Sequence, residues 1–249
     1  MLKISVVTAV YNNKKTICQA IDSVLSQSYP MLESVVIDGA SNDGTLEVLE
    51  HYRSRLGLLI SEPDGGIYDA LNKGINYSNG DIVGFLHADD IFEDNNVLAK
   101  VAAVFEDPKV DAVYGDLVYV QHDDITKVVR YWKSGHYDAV SLSNGWMPPH
   151  PTFYVRRSVY DRLGGFDTRY RIAADYDTVL RFLAVGKIST VYIPEVFVRM
   201  RVGGISNRSW STIIRKSFED LDILKRNKVG GIVSLINKNV SKLSQFWLR

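Results

Sequence analysis

Gly80-Asp81-Ile82-Val83-Gly84-Phe85-Leu86-His87-Ala88-Asp89-Asp90 is a short apolar run that stops abruptly on two adjacent carboxylates. A run this short, bounded by Asn79-Gly80 on one side and by acids on the other, reads as a buried strand. In an open parallel sheet, ligands bind outside the carboxyl ends of the strands. Asp89 and Asp90 therefore stand where a divalent cation would find hard oxygen ligands. The same two residues would also serve as caps for a helix beginning near Asn95. This stretch by itself leaves both readings open.

Upstream of it, β-rich runs alternate with amphipathic helical patterns. Residues 4–9 read as a strand, and residues 14–27 as a helix with Ile17, Ile21, Val24 and Leu25 on its apolar face, broken by Tyr29-Pro30. A second strand over 33–38, a turn-rich loop over 39–44, a short helix over 45–52 and a third strand over 58–61 follow. Pro63-Asp64-Gly65-Gly66 is a turn cluster leading into a helix over 67–77. Strands alternating with helices imply parallel pairing with right-handed crossovers, hence a Rossmann-like α/β sheet.

Downstream the pattern is less regular. Residues 112–119 and 127–132 read as two strands, antiparallel across the polar turn Gln121-His122-Asp123-Asp124. Residues 144–150, with Gly145, Pro148 and Pro149, read as loop. Helices are expected over 158–163, 173–185 and 210–225. A late strand over 191–193 is expected to stop at Pro194, and 199–207 to form a glycine-containing loop. The segment 231–249 places Ile232, Ile236, Val240, Leu243 and Trp247 on one helical stripe, with Lys238, Lys242, Asn237 and Gln245 opposite. That stripe suits docking on the protein's own core or lying in a membrane interface. The expected organisation is a catalytic domain over 1–228 and an amphipathic C-terminal helix over 229–249.

The chain has 249 residues, 29 Lys+Arg balanced by 29 Asp+Glu, so no basic field favours a nucleic-acid partner. The single cysteine, Cys18, excludes an internal disulfide framework and fits a reducing compartment. Met1-Leu2-Lys3-Ile4 runs directly into a strand pattern, so no signal peptide is expected, and no apolar run is long enough to span a bilayer. The expected location is cytoplasmic, with the cytoplasmic face of the inner membrane as the place of any surface contact.

Acids recur where strands end: Asp38 after the second, Asp43 in the same loop, Asp64 after the third, then Asp89 and Asp90. In a parallel sheet these ends gather at one edge, and acids brought together there need a cation or hydrogen-bond donors to compensate them. Ala9-Val10-Tyr11-Asn12-Asn13 is not a glycine-rich dinucleotide loop, and there is no Walker loop. His87, His122, His136 and His150 form no i,i+4 pair, so zinc has little support.

The ordered set Val7-Thr8-Ala9-Val10-Tyr11-Asn12, Asp38-Gly39-Ala40-Ser41-Asn42-Asp43-Gly44-Thr45, Ser61-Glu62-Pro63-Asp64-Gly65-Gly66-Ile67-Tyr68-Asp69-Ala70-Leu71-Asn72-Lys73-Gly74 and Leu86-His87-Ala88-Asp89-Asp90 resembles glycosyltransferase family 2. His150-Pro151-Thr152, Gly164-Gly165-Phe166-Asp167, Ala174-Asp175-Tyr176-Asp177 with Arg181, and Gly203-Gly204-Ile205-Ser206 agree with it. The similarity is strongest to bacterial enzymes of exopolysaccharide, colanic-acid-type and lipid-linked glycan synthesis.

The resemblance implies a GT-A fold: a mixed, mainly parallel sheet flanked by helices. It implies inverting transfer from a nucleotide-diphosphate sugar to a hydroxyl of a glycan or lipid-linked acceptor, with Mg²⁺ or Mn²⁺. Residue by residue, it assigns Thr8, Val10, Tyr11, Asp38 and Asp64 to the nucleotide, with Asn72 and Lys73 in the same donor-binding set. It assigns Asp89 to the cation, Asp90 to its support or to the sugar, and Asp175 to the general base, with Asp177 as the rival. Arg199 or Arg201 would clamp the diphosphate, and Trp146 and His150 fall where acceptor contacts lie. Two departures stand out: Gly39 replaces a common second acid, and His87 stands where many relatives have the first Asp of D-x-D. A sugar-phosphate nucleotidyltransferase and a non-catalytic relative of the same fold are the alternatives.

Overall fold

The computed structural model describes residues 1–143, 145–203, 210–231 and 233–235. Four strands build the parallel half: β1 (Ile4–Val10), β2 (Leu32–Asp38), β3 (Leu58–Ser61) and β4 (Ile82–Phe85). They lie in the order β3-β2-β1-β4, all parallel, with Val10 level with Asp38 and Asp38 level with Ser61. The connecting helices are α1 (Ile17–Leu25), α2 (Thr45–Glu50) and α3 (Ile67–Tyr77). Every residue of β1 is buried, as both faces of a central parallel strand are covered by helices. Val7 and Ala9 pack with Ala70, Leu71 and Ile75 of α3 on one side. Ile4 and Val6 share a second cluster with Val24 of α1.

The second half adds β5 (Ile91–Phe92), α4 (Val97–Val104), β6 (Ala112–Val120), β7 (Val128–Trp132) and α5 (Ala139–Ser143). It continues with β8 (Tyr154–Arg156), α6 (Arg157–Leu163), α7 (Ala174–Leu180), β9 (Thr190–Arg201) and α8 (Trp210–Arg226). The full sheet runs β3-β2-β1-β4-β8-β6-β9-β5, with β7 pairing antiparallel to β6 as the polar turn predicts. β8 joins β4 and β6 antiparallel, whereas β6 and β9 are parallel. The α/β sheet with flanking helices is therefore mixed, parallel in its first half.

Two expectations fail in the second half. The late strand does not stop at Pro194: β9 continues to Arg201, where a loop was expected. The register shifts between Tyr114↔Tyr192 and Asp116↔Val196, so β9 carries extra residues around Pro194. A bulge there takes the proline, which has no N–H to donate, out of the ladder and lets the strand resume. The helix expected over 173–185 is α7 followed by a π-helical turn at Arg181–Val185. The amphipathic segment expected over 231–249, and most of the Gly203-Gly204-Ile205-Ser206 motif, lie outside the described residues. Among the described residues no helix is long and apolar enough to cross a membrane.

Candidate active site

The carboxyl ends of β1, β2 and β3 form the first part of the site. Asp38, the last residue of β2, is completely buried. Its carboxylate accepts hydrogen bonds from the Ser41 amide (3.1 Å), the Ser41 hydroxyl (2.5 Å) and the Ser61 hydroxyl of β3 (2.6 Å). The Gly39 amide donates to the Val10 carbonyl, and the Asn12 amide to the Ser41 hydroxyl, so the loops after β1 and β2 are tied together. Asp64 accepts from the Gly66 amide at 2.8 Å and lies directly over Gly39. A Cβ at position 39 would stand 2.6 Å from Asp64 Oδ2. The glycine found in place of a second acid is thus what lets Asp64 approach. Thr8 and Val10 are buried beneath this pocket, the Thr8 hydroxyl without a hydrogen-bond partner among the described residues, and Tyr11 is 63 % exposed at its rim. Asp43 does not join them: its carboxylate accepts from the Lys14 amide and from the amide and hydroxyl of Thr45, as a loop residue does.

The turn after β4 forms the second part. The Asp90 amide donates to the His87 carbonyl at 3.0 Å, and β5 begins immediately afterwards. The capping alternative for Asp89 and Asp90 is thereby corrected: α4 starts later, with Asn96 at its N-cap position. Asp90 is completely buried; one carboxylate oxygen accepts from the Arg201 amide at 3.3 Å and Oδ2 has no partner among the described residues. Burial pushes its carboxyl well above the usual range and the charge of Asp89 adds to this, while Arg201 opposes both. An orphaned buried carboxylate oxygen beside a second, half-buried acid fits a site that a cation completes. Among the described residues no three His, Cys, Asp or Glu side chains gather to hold a metal alone. A small divalent ion bound through one or two carboxylates and substrate phosphates needs no such cage.

Arg201 is not on a loop. It is the last residue of β9, 3 % exposed, with its guanidinium donating to the Asp89 carbonyl, the His122 carbonyl (3.0 Å) and the Gln19 side-chain oxygen. Arg199 likewise donates to the Ile125 carbonyl (3.1 Å) and to Glu93 (2.7 Å). The loop expected to carry both arginines is corrected: they stand in β9, with both guanidiniums bonded to groups of the protein.

The third part comes from α7. Asp175, half-buried in its first turn, accepts from the Tyr176 amide (2.8 Å) and from the Tyr68 hydroxyl of α3 (3.3 Å), which also donates to the Ile172 carbonyl (2.7 Å). Asp177, its rival, is buried, paired with Arg181 at 3.3 Å and accepting from Asn227 at 3.0 Å. Within electrostatic range of Asp175 is a pair of imidazoles. His150 stacks on Phe85 (5.0 Å between ring centres) and lies 5.9 Å from His87. Burial holds His150 down at about 4, against the pull of Asp175 and with a small push from His87. Burial also lowers His87, opposed by Asp89 and Asp175. The electrostatic reach of these groups links Asp89, His87, His150 and Asp175 into one cluster. Trp146 donates from its ring nitrogen to the Ser134 carbonyl (2.7 Å) and packs between Tyr114 and Tyr137.

Two residues expected in the donor-binding set, Asn72 and Lys73, make contacts to the scaffold. Both ends of the Asn72 amide bond the Phe166 backbone, at 2.9 and 2.8 Å. Lys73 donates to the Pro63 carbonyl and pairs with Glu62, both at 2.8–2.9 Å, bracing the loop that presents Asp64. Tyr68, which sequence reasoning did not single out, touches Asp175; its place one residue into an amphipathic helix made it indistinguishable from a core aromatic.

A family model described as "Glycosyl transferase family 2" matches residues 5–182. A PGL/p-HBAD biosynthesis glycosyltransferase of Mycobacterium bovis is 30 % identical over 219 residues, 86 % of this chain and 81 % of that protein. Among solved structures, S. aureus TarS 1–349 in complex with UDP-GlcNAc superposes with a TM-score of 0.72 at 19 % identity, over 92 % of this chain and 66 % of that one. The mannosyltransferase PcManGT from Pyrobaculum calidifontis, in complex with GDP-Man and Mn²⁺, superposes with a TM-score of 0.67 at 20 % identity, over 100 % of this chain and 76 % of that one. At such identities the structural likeness shows the fold alone. The chain spans about two-thirds of the TarS 1–349 chain and 43 % of full TarS.

Proposed function

The chain belongs to glycosyltransferase family 2, and on that premise we propose an inverting transferase that moves a sugar from a nucleotide-diphosphate sugar to a hydroxyl of a glycan or lipid-linked acceptor, in surface polysaccharide synthesis. Family membership sets aside the nucleotidyltransferase alternative, and the intact carboxylates Asp38, Asp64, Asp89, Asp90 and Asp175 weigh against a non-catalytic relative.

In this reading Asp38 and Asp64 accept hydrogen bonds from the nucleobase and ribose, over Thr8 and Val10, with Tyr11 against the base at the rim. Asp175 is the general base. It takes the proton of the acceptor hydroxyl as that oxygen bonds to the anomeric carbon. The bond from that carbon to the diphosphate oxygen breaks on the opposite face, which inverts the configuration. Asp89, backed by Asp90, would hold Mg²⁺ or Mn²⁺, whose chemistry when bound is to neutralise charge on the leaving diphosphate. His150 and Trp146 line the acceptor side. The nucleotide-sugars in the TarS and PcManGT complexes, and the Mn²⁺ in the latter, support a donor and a metal of this kind.

The observation that carries the proposal is the contrast within one helical turn. Asp177 is locked by Arg181 and Asn227, whereas Asp175 is half-buried beside Tyr68 and within electrostatic range of the two imidazoles. Asp175→Asn tests it. Removing a general base lowers kcat by about 10²–10⁴-fold, and nucleotide affinity, measured by calorimetry, should stay within about twofold, well inside the 1.4 kcal/mol of a tenfold change. Wild-type turnover in this variant would remove Asp175 from the role.

A further inference from the structure

We propose that Arg201 is a positioning residue that fixes the Asp89–Asp90 turn for cation binding, acting through the protein rather than on the diphosphate. The inference rests on the metal reading above and assigns a device to it.

The last residue of β9 is tied to β6 at Val120 and therefore has a rigid backbone. From there its guanidinium reaches three separate pieces of the chain: the Asp89 carbonyl after β4, the His122 carbonyl in the turn after β6, and the Gln19 side chain of α1. Its own amide donates to the Asp90 carboxylate at 3.3 Å. One residue thus grips the turn at both acids, by the carbonyl of the first and the carboxylate of the second. The carbonyl bond sets the plane of the Asp89–Asp90 peptide, and with it the direction in which the Asp89 carboxylate leaves the backbone. Thr16, whose hydroxyl donates to the Ala88 carbonyl at 3.1 Å, holds the preceding peptide from α1. The turn is therefore pinned on successive carbonyls, Ala88 by Thr16 and Asp89 by Arg201.

Arg201 is itself 3 % exposed, so its guanidinium is spent on these partners inside the fold. A planar fork carries donors on three nitrogens in fixed directions toward three acceptors on three elements, whereas a lysine ammonium has all its donors on one atom and cannot span them.

The test compares the full-length wild type with Arg201→Lys and with Gln19→Ala. The second changes an exposed residue and keeps the fold if the first does not. Mn²⁺ is titrated by electron paramagnetic resonance in the presence of saturating UDP and, separately, GDP, and the tighter pair is read. Nucleotide affinity in EDTA is measured alongside by calorimetry. The expected result is Mn²⁺ affinity at least about tenfold weaker in Arg201→Lys, which is about 1.4 kcal/mol or more, and a smaller loss in Gln19→Ala, with metal-free nucleotide affinity unchanged in both. Unchanged Mn²⁺ affinity in both variants overturns the brace and leaves the metal reading standing. An equal loss of nucleotide affinity in EDTA also overturns it, because Arg201 would then act on the nucleotide directly. A wild type that binds no Mn²⁺ with either nucleotide overturns the metal reading, and the brace with it.

Discussion

Asp175 and Asp177 lie two residues apart on the first turn of α7 and meet opposite circumstances. A carboxylate locked by a guanidinium one turn on and by the Asn227 amide is a structural group, since moving it would leave Arg181 with an unpaired charge. Asp177→Ala should therefore lower stability rather than chemistry: removing one partner of a buried pair costs roughly 2–4 kcal/mol, toward the lower end here because Arg181 keeps its bonds to the Leu163, Gly164 and Gly165 carbonyls. Chemical denaturation reads the loss. A variant folded as firmly as wild type but without turnover would transfer the catalytic assignment to Asp177. The distinction was partly legible in the sequence, because Asp177 and Arg181 stand at the i,i+4 spacing of a helical ion pair. Asn227, the second lock, is 50 residues away in the chain, and no local pattern connects it. The same limit explains Arg201. Its sequence neighbours, two glycines, suggest a loop, and only strand pairing shows it buried against the turn it grips.

Elements of the first half were legible almost to the residue: β3 and α3 begin and end where turn residues and periodicity place them. β1, β2 and β4 there are buried almost throughout, between consecutive helices, so local pattern and tertiary environment agree. In the second half they part. β9 survives Pro194 because its partner β6 supplies a full ladder on either side of a bulge, which a local breaker signal cannot reveal. The deciding strand, β4, carries its own case of non-local cause in Gly84. A Cβ there would stand 2.2 Å from the Tyr154 ring, which belongs to antiparallel neighbour β8. Tyr154 is completely buried and packs against Phe197 of β9, so it has no room to retreat. Gly84→Ala should thus destabilise by about 1–3 kcal/mol through overpacking, seen as a lower urea midpoint. Adding Tyr154→Leu to relieve the contact should recover part of that loss. A neutral Gly84→Ala would mean that the β4–β8 contact is looser than it stands here.

On the scale of the whole molecule, the candidate site gathers at the carboxyl edge of the sheet and a single acid fastens the opposite edge. Glu33, at the start of β2 and 6 % exposed, accepts from Lys3 Nζ (2.8 Å), the Ser5 hydroxyl (2.5 Å), the Asn79 amide (2.7 Å) and the Asn79 side chain (3.2 Å). Ser5 in turn accepts from the Gly80 amide at 2.9 Å. One carboxylate therefore joins the chain terminus, β1, β2 and the connection from α3 into β4. Burial alone would raise its pKa, but the bonds from Lys3, Ser5 and Asn79 outweigh it and hold it at about 2, below the ordinary 4.5. A group depressed in the folded state contributes its stability above its unfolded pKa and loses it as pH falls through the folded one. The contribution is complete above roughly pH 5 and fades between there and pH 2. Glu33→Gln removes the charge at every pH while keeping an acceptor. It should cost about 1–3 kcal/mol at neutral pH through weakened buried hydrogen bonds. It should also flatten the acid limb of the stability curve between pH 5 and 2, the window in which the wild-type carboxylate takes up its proton. Thermal melts of both proteins across that range decide the matter: parallel curves would show that acid sensitivity arises elsewhere, and a curve that converges toward low pH would place it at the edge of the sheet farthest from the chemistry.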